Sequence, residues 1–136
     1  MKANELMIGD WVRIEHYKYE YLNCIGQIAG INEREGSIEP RTFNVIYEKD
    51  GKKGLNVGVS KRNVFPVPIT KEILEKNGFM DDGASWWYRD FHISLSGTKN
   101  LTLICGRTIQ FSFVHELQHA LRLCGLEELA DNFKVE

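Results

Sequence analysis

Phe113-Val114-His115-Glu116-Leu117-Gln118-His119-Ala120-Leu121-Arg122-Leu123-Cys124-Gly125 is the longest run in the chain that reads as one amphipathic helix. How that helix is turned decides the second half of the fold. Ser112 is the expected N-cap, and Gly125 suits the left-handed position just past the end. Leu126 would then close back on Leu121, as a Schellman ending requires. At about 100° per residue, Val114, Leu117, Ala120, Leu121 and Cys124 gather on one face. His115, Gln118, His119 and Arg122 gather on the other, with Glu116 at the edge. The expectation is that the leucine stripe presses onto a sheet and the imidazole pair looks out into water.

The same stretch holds the most chemically loaded pattern in the chain. His115-Glu116-Leu117-Gln118-His119 is formally H-E-x-x-H, in which two histidines one turn apart bind zinc and the glutamate acts as base. A zinc hydrolase on this site would use His115 and His119 as ligands and Glu116 as the base. It also needs a third protein ligand. The metzincin continuation would place glycine at 122 and histidine at 125, where the chain has Arg122 and Gly125. Glu127 and Glu128 follow too closely to return on a second helix. His16 and His92 lie far upstream. A polar helix face is therefore the preferred reading, with no metal, cofactor or catalytic residue assigned.

Working outward, the 136 residues are 43% hydrophobic, enough for one or two small cores. A net charge of −2 gives no bulk field that would draw nucleic acid or membrane. No run approaches the roughly 18 apolar residues of a membrane span, and no signal-peptide pattern opens the chain. Cys24, Cys105 and Cys124 are odd in number and lack C-x-x-C spacing, which suggests buried thiols in a reduced cytoplasmic protein. Gly26 to Gly30 lacks the lysine and spacing of a phosphate loop. Asp81-Asp82 reads as a solvated turn, and Ser94 and Ser96 have no partner histidine in a recognisable order.

Residues 1–68 read as short strands without a helix. Asp10 to Ile14 enters as a strand, with Trp11 on the face opposite Val12 and Ile14. His16 to Tyr21 alternates strictly, putting Tyr17, Tyr19 and Tyr21 on one face of an expected strand. Gly26 to Ile31 is a short strand. Thr42 to Glu48 and Leu55 to Ser60 flank a hairpin built on Asp50-Gly51. Val64 to Pro68 is extended, because its prolines forbid helix. A small SH3-like barrel is the natural packing. Such a barrel could bind nucleic acid through Lys49, Lys52, Lys53, Lys61 and Arg62, with the tyrosine row stacking bases. Against this, residues 1–69 hold ten Lys or Arg and nine Asp or Glu.

Residues 69–136 read as an α-β-β-β-α subdomain. Thr70 caps a short helix that ends at Gly78, with Phe79 reaching back to Leu74. Met80 to Ala84 is an acidic turn. Strands follow over Trp86 to Arg89, Phe91 to Ser96, Leu101 to Cys105 and Thr108 to Phe113. Tyr88, His92, Ser94 and Thr102 are expected outward, and Trp87, Ile93, Leu95, Leu101, Leu103, Ile109 and Phe111 inward. Trp86 and Tyr88 are counted as surface aromatics. After Gly125, Glu127 to Asp131 adds a helical turn, and Phe133 and Val135 tuck back. The fold class is thus α+β: the barrel, a helix, a sheet of three or four antiparallel strands, and a helix at about 113–124 packed on it.

Three blocks carry a resemblance. Met1 to Val12, Pro66 to Phe79 and Val114 to Gly125 together resemble a family of small uncharacterised proteins of Bacteroidetes-type gut anaerobes, their phages and mobile elements. The opening Ile8-Gly9-Asp10-Trp11-Val12 is also similar to the start of KOW-type and other SH3-like modules. The family resemblance implies no assigned activity. It does imply that Glu116 and His119 are replaceable, since members read Val-His-Glu-Leu-Gln-Asn or Val-His-Gln-Leu-Gln-Asn here. The leading expectation is a non-enzymatic module that engages a protein partner. Nucleic-acid binding and zinc hydrolysis are the alternatives.

Overall fold

The computed structural model describes residues 5–36, 38–96, 99–104 and 107–136, with side chains described throughout except at Tyr21, 95–96, 99–104 and 107–110. The fold is α+β, built on two antiparallel sheets. The chain divides into two compact units, Met1–Val67 and Pro68–Glu136.

In the first unit β1 (Trp11–Ile14), β2 (Cys24–Glu33), β3 (Arg41–Lys49), β4 (Lys52–Ser60) and β5 (Val64–Pro66) form one sheet in the order β4-β3-β2-β1-β5. Asp50 and Gly51 both have positive φ, 54° and 76°, as a type I′ hairpin needs, and Lys49 pairs with Lys52 across it. Val12, Ile14, Ile28, Phe43, Val45 and Val64 face one core with Leu6. Gly26 packs tightly against β3: a Cβ there would lie 2.3 Å from the carbonyl oxygen of Ile46.

The connection from β4 to β5 constrains the shape of this sheet. Laid flat, the two outer strands would stand four spacings apart, roughly 19 Å at about 4.8 Å each. The one-turn 3₁₀ segment Lys61–Asn63 that joins them reaches at most about 14 Å. The sheet must therefore curl. Among the described residues no ladder joins β4 to β5, so it is not closed.

One expected strand of this unit is absent. Residues 16–19 bend, and Glu20–Leu22 forms a 3₁₀ turn. The cause is local: His16 Nδ1 accepts from the backbone N–H of Lys18 at 3.2 Å and of Tyr19 at 3.1 Å, while His16 N–H donates to Asn23 Oδ1 at 2.7 Å. Side-chain acceptors thus take the amides that a strand ladder would have used. The strict alternation of tyrosines was not a strand signal.

The second unit opens with α1 (Lys71–Lys76), followed by β6 (Met80–Asp81), β7 (Ser85–Tyr88), β8 (Phe91–Ser96), β9 (Lys99–Ile104), β10 (Arg107–Phe111), α2 (Val114–Leu123) and α3 (Glu127–Asp131). Its sheet is a five-stranded meander, β10-β9-β8-β7-β6, larger than the three or four strands expected because Met80–Asp81 pairs onto β7. Thr70 caps α1, its Oγ1 accepting from Ile73 N–H at 3.2 Å. Both longer helices end alike. Phe79 N–H reaches Leu74 O and Gly78 N–H reaches Glu75 O; Leu126 N–H reaches Leu121 O and Gly125 N–H reaches Arg122 O. With φ of 83° at Gly78 and 76° at Gly125, each is a Schellman ending.

The tryptophan pair is turned the other way from expectation. Trp86 is 3% exposed and pairs with Ile93, whereas Trp87 is 38% exposed and pairs with His92. Trp87 can face outward because its indole N–H donates to Asp82 Oδ2 at 2.7 Å and its ring stacks on His92. The inward assignments of Leu95, Leu101, Leu103 and Ile109, and the outward one of Thr102, lie outside the described side chains.

Candidate functional site

The H-E-x-x-H helix is buried over a wider arc than its leucine stripe. Val114, Leu117, Ala120 and Leu121 face inward as expected, but His115 is 2% exposed and Gln118 0%. The segment beyond Gly125 accounts for much of this. Helix α3 folds back along α2, Gln118 Nε2 donates to Ala130 O at 3.0 Å, and Arg122 meets Asp131 at 3.4 Å. Phe133 and Val135 are buried behind it, and Asn77 holds that tail by exchanging two 2.7 Å hydrogen bonds with the backbone of Lys134. Cys124 is exposed, not on the buried stripe, because the Schellman turn carries it past the helix end; Cys24 is half-buried, and Cys105 lies outside the described residues.

Each member of the motif has a structural setting. The N-cap is Phe113, not Ser112, and a phenyl ring cannot accept a hydrogen bond. The cap comes from the other side: Glu116 Oε1 accepts from the N–H of Ser112 at 3.1 Å and of Phe113 at 3.2 Å. His115 stacks parallel to Phe113 with centroids 6.1 Å apart, and His119 meets it edge-on at 5.9 Å. Among the described residues no group of three or more His, Cys, Asp or Glu is placed to hold a metal. A glutamate turned back onto two backbone amides is poorly placed to serve as a base on metal-bound water.

The expected nucleic-acid residues do not form one patch. Lys49, Lys52 and Lys53 sit at the β3–β4 hairpin, while Lys61 and Arg62 follow the opposite end of β4. Lys53 and Lys61 are eight residue steps apart along β4, at most about 26 Å at roughly 3.3 Å each. Tyr17 and Tyr19 lie in the bent segment, not on a strand, and the side chain of Tyr21 lies outside the description.

That bent segment borders a site with no short sequence signature. Two adjoining hollows share Ser60 and Asn63. The first is a cavity of about 360 Å³ lined by the apolar Ile14, Leu22, Val57 and Val59 and by the polar His16, Asn56, Ser60 and Asn63. The second is an open groove of about 440 Å³ bordered by Tyr17, Ile38, Glu39 and Arg62. Tyr17 is 86% exposed and Ile38 98%. His16 stacks on Tyr17 at 5.2 Å and leans on Tyr19 at 5.1 Å, so one imidazole both orders the bend and backs its tyrosines. Across the groove, Glu39 accepts from Ser60 Oγ at 2.5 Å and pairs with Arg62 at 3.1 Å, tying residues 38–40 to the 3₁₀ turn. Ser60 Oγ also accepts from Arg62 N–H at 3.4 Å. The residues are contributed by three separated segments, which is why pattern reading did not find them.

No family model, curated protein or solved structure matches the chain.

Proposed function

We propose that this protein is a non-enzymatic binding module and that its first unit takes a polypeptide partner in the groove between residues 16–22, 38–39 and 60–63. The observation that carries this reading is the exposure of Tyr17 and Ile38 at the two sides of a hollow whose walls are otherwise fixed by hydrogen bonds. A pre-ordered backbone frame removes the cost of ordering loops on binding and leaves only that of fixing the exposed side chains. The frame itself supports the SH3-like reading of this unit. Its last strand returns to pair with its first, the sheet must curl to allow it, and a single 3₁₀ turn makes the connection.

The experiment is amide shift mapping on the full chain with a peptide selected from a random library. The expected result is perturbation of residues 16–22, 38–40 and 60–63, with residues 49–53 unmoved. Perturbation centred on 113–119 would contradict the assignment. So would salt-sensitive binding of single-stranded nucleic acid that moves residues 49–53.

A further inference from the structure

We infer that the partner is an extended acidic peptide, with a bulky apolar side chain seated in the cavity beside Val57 and Val59 and a nearby carboxylate received by Arg62. This rests on the peptide-binding reading above and assigns its chemistry.

Size gives the first half. Ligand pockets run from about 300 to 1,000 Å³. A cavity of about 360 Å³ lies at the small end, with room for one or two side chains, and Ile14, Leu22, Val57 and Val59 give it an apolar part where such a side chain can pack, with His16 and Asn56 as polar neighbours. The cavity and the groove share Ser60 and Asn63, so a chain that drops a side chain into the cavity runs on past Tyr17 and Arg62.

Charge gives the second half. The Arg62 side chain is 68% exposed and meets Glu39 through Nη2, while Glu39 is 31% exposed and also holds the Ser60 hydroxyl. Glu39 is therefore tucked against the 3₁₀ turn, and Arg62 is the more exposed member of the pair. A guanidinium offers five N–H donors in a planar fork, which suits a second carboxylate. Arg62 and Glu39 are the charged residues that line the groove, and Glu39 is already engaged by Ser60 and Arg62. A basic peptide would find the Glu39 carboxylate already held and the more exposed Arg62 beside it. A nucleic-acid backbone would need a longer track of cations, and Lys49, Lys52 and Lys53 stand at the far end of β4.

The test selects a random twelve-residue peptide library against the full chain and against Arg62→Glu, Arg62→Ala and Val57→Trp. Positions 57 and 62 are exposed, and circular dichroism checks that each variant is folded. The wild type is expected to enrich peptides with a bulky apolar residue close to Asp or Glu. Arg62→Ala should weaken the selected peptide roughly tenfold, the scale of one charged hydrogen bond. Arg62→Glu should turn its own selection toward Lys and Arg, and Val57→Trp should erase the apolar preference. Peptides that lose binding with Val57→Trp but are basic or uncharged would overturn this inference and leave the groove standing. Absence of any groove-dependent peptide, or binding of single-stranded DNA in its place, would overturn both.

Discussion

The two units use their conspicuous side chains in opposite ways. In the second, the motif that stands out in the sequence is absorbed by the fold: Glu116 caps its own helix, His115 stacks against Phe113, and Gln118 is bound to α3. In the first, a segment that reads as a strand bends instead and, with residues 38–39, leaves Tyr17 and Ile38 at the surface of a braced hollow. The difference teaches that a side chain's prominence in the sequence does not tell how the fold uses it. Groups committed to backbone amides and packing are poor candidates for a ligand, while exposed ones on a rigid frame are good ones.

The sharpest way to break this contrast is to cut into the second unit. Gln118→Ala removes a fully buried amide and leaves Ala130 O without its donor, so a loss of about 2–3 kcal/mol is expected in urea unfolding. A change below about 0.5 kcal/mol would show that the α2–α3 contact is incidental. Next come the helix endings. Gly78→Ala and Gly125→Ala should each cost about 1 kcal/mol, because both sites hold positive φ. Strongly unequal costs would break the equivalence of the two Schellman turns.

Glu116 separates cap from catalyst. Glu116→Ala should cost about 1 kcal/mol of stability, while Glu116→Gln, which keeps an acceptor oxygen, should cost much less. Equal losses for both would mean that the charge matters more than the hydrogen bond. The smallest effect belongs to Asp82. Backbone N–H groups of Ser85 and Ala84, then the Trp87 indole, hold its carboxyl below the ordinary value of 3.8. Its contribution is therefore present above that value and is lost as the pH falls through the lower, folded one. The Trp87 indole N–H resonance should accordingly move only below about pH 3.8, and Asp82→Asn should abolish that movement. Movement at higher pH would contradict the assignment.

Much of the frame was legible because it is set by short-range rules. Asp50-Gly51 announced its hairpin, Thr70 its cap, and Gly78 and Gly125 their helix ends. What failed was decided by contacts distant in sequence or by side chains competing with the backbone. Tyr17 to Tyr21 alternates like a strand, yet His16 draws the amides of Lys18 and Tyr19 to itself. Gln118 looked like a solvent residue until α3 covered it. Trp86 and Trp87 differ by one step of register, and only the partner Asp82 says which faces out. The groove joins residues 16–22 to 60–63 through a curled sheet, and no local pattern records that meeting.

The most direct measurement compares two double variants for binding of the same selected peptide: Tyr17→Ala with Ile38→Ala, and Glu116→Gln with His119→Ala. Tyr17 and Ile38 are exposed, so the first pair should unfold like the wild type and lose binding. The second should bind as tightly as the wild type. Retained binding in the first pair and loss in the second would place the working surface on the helix and contradict the account.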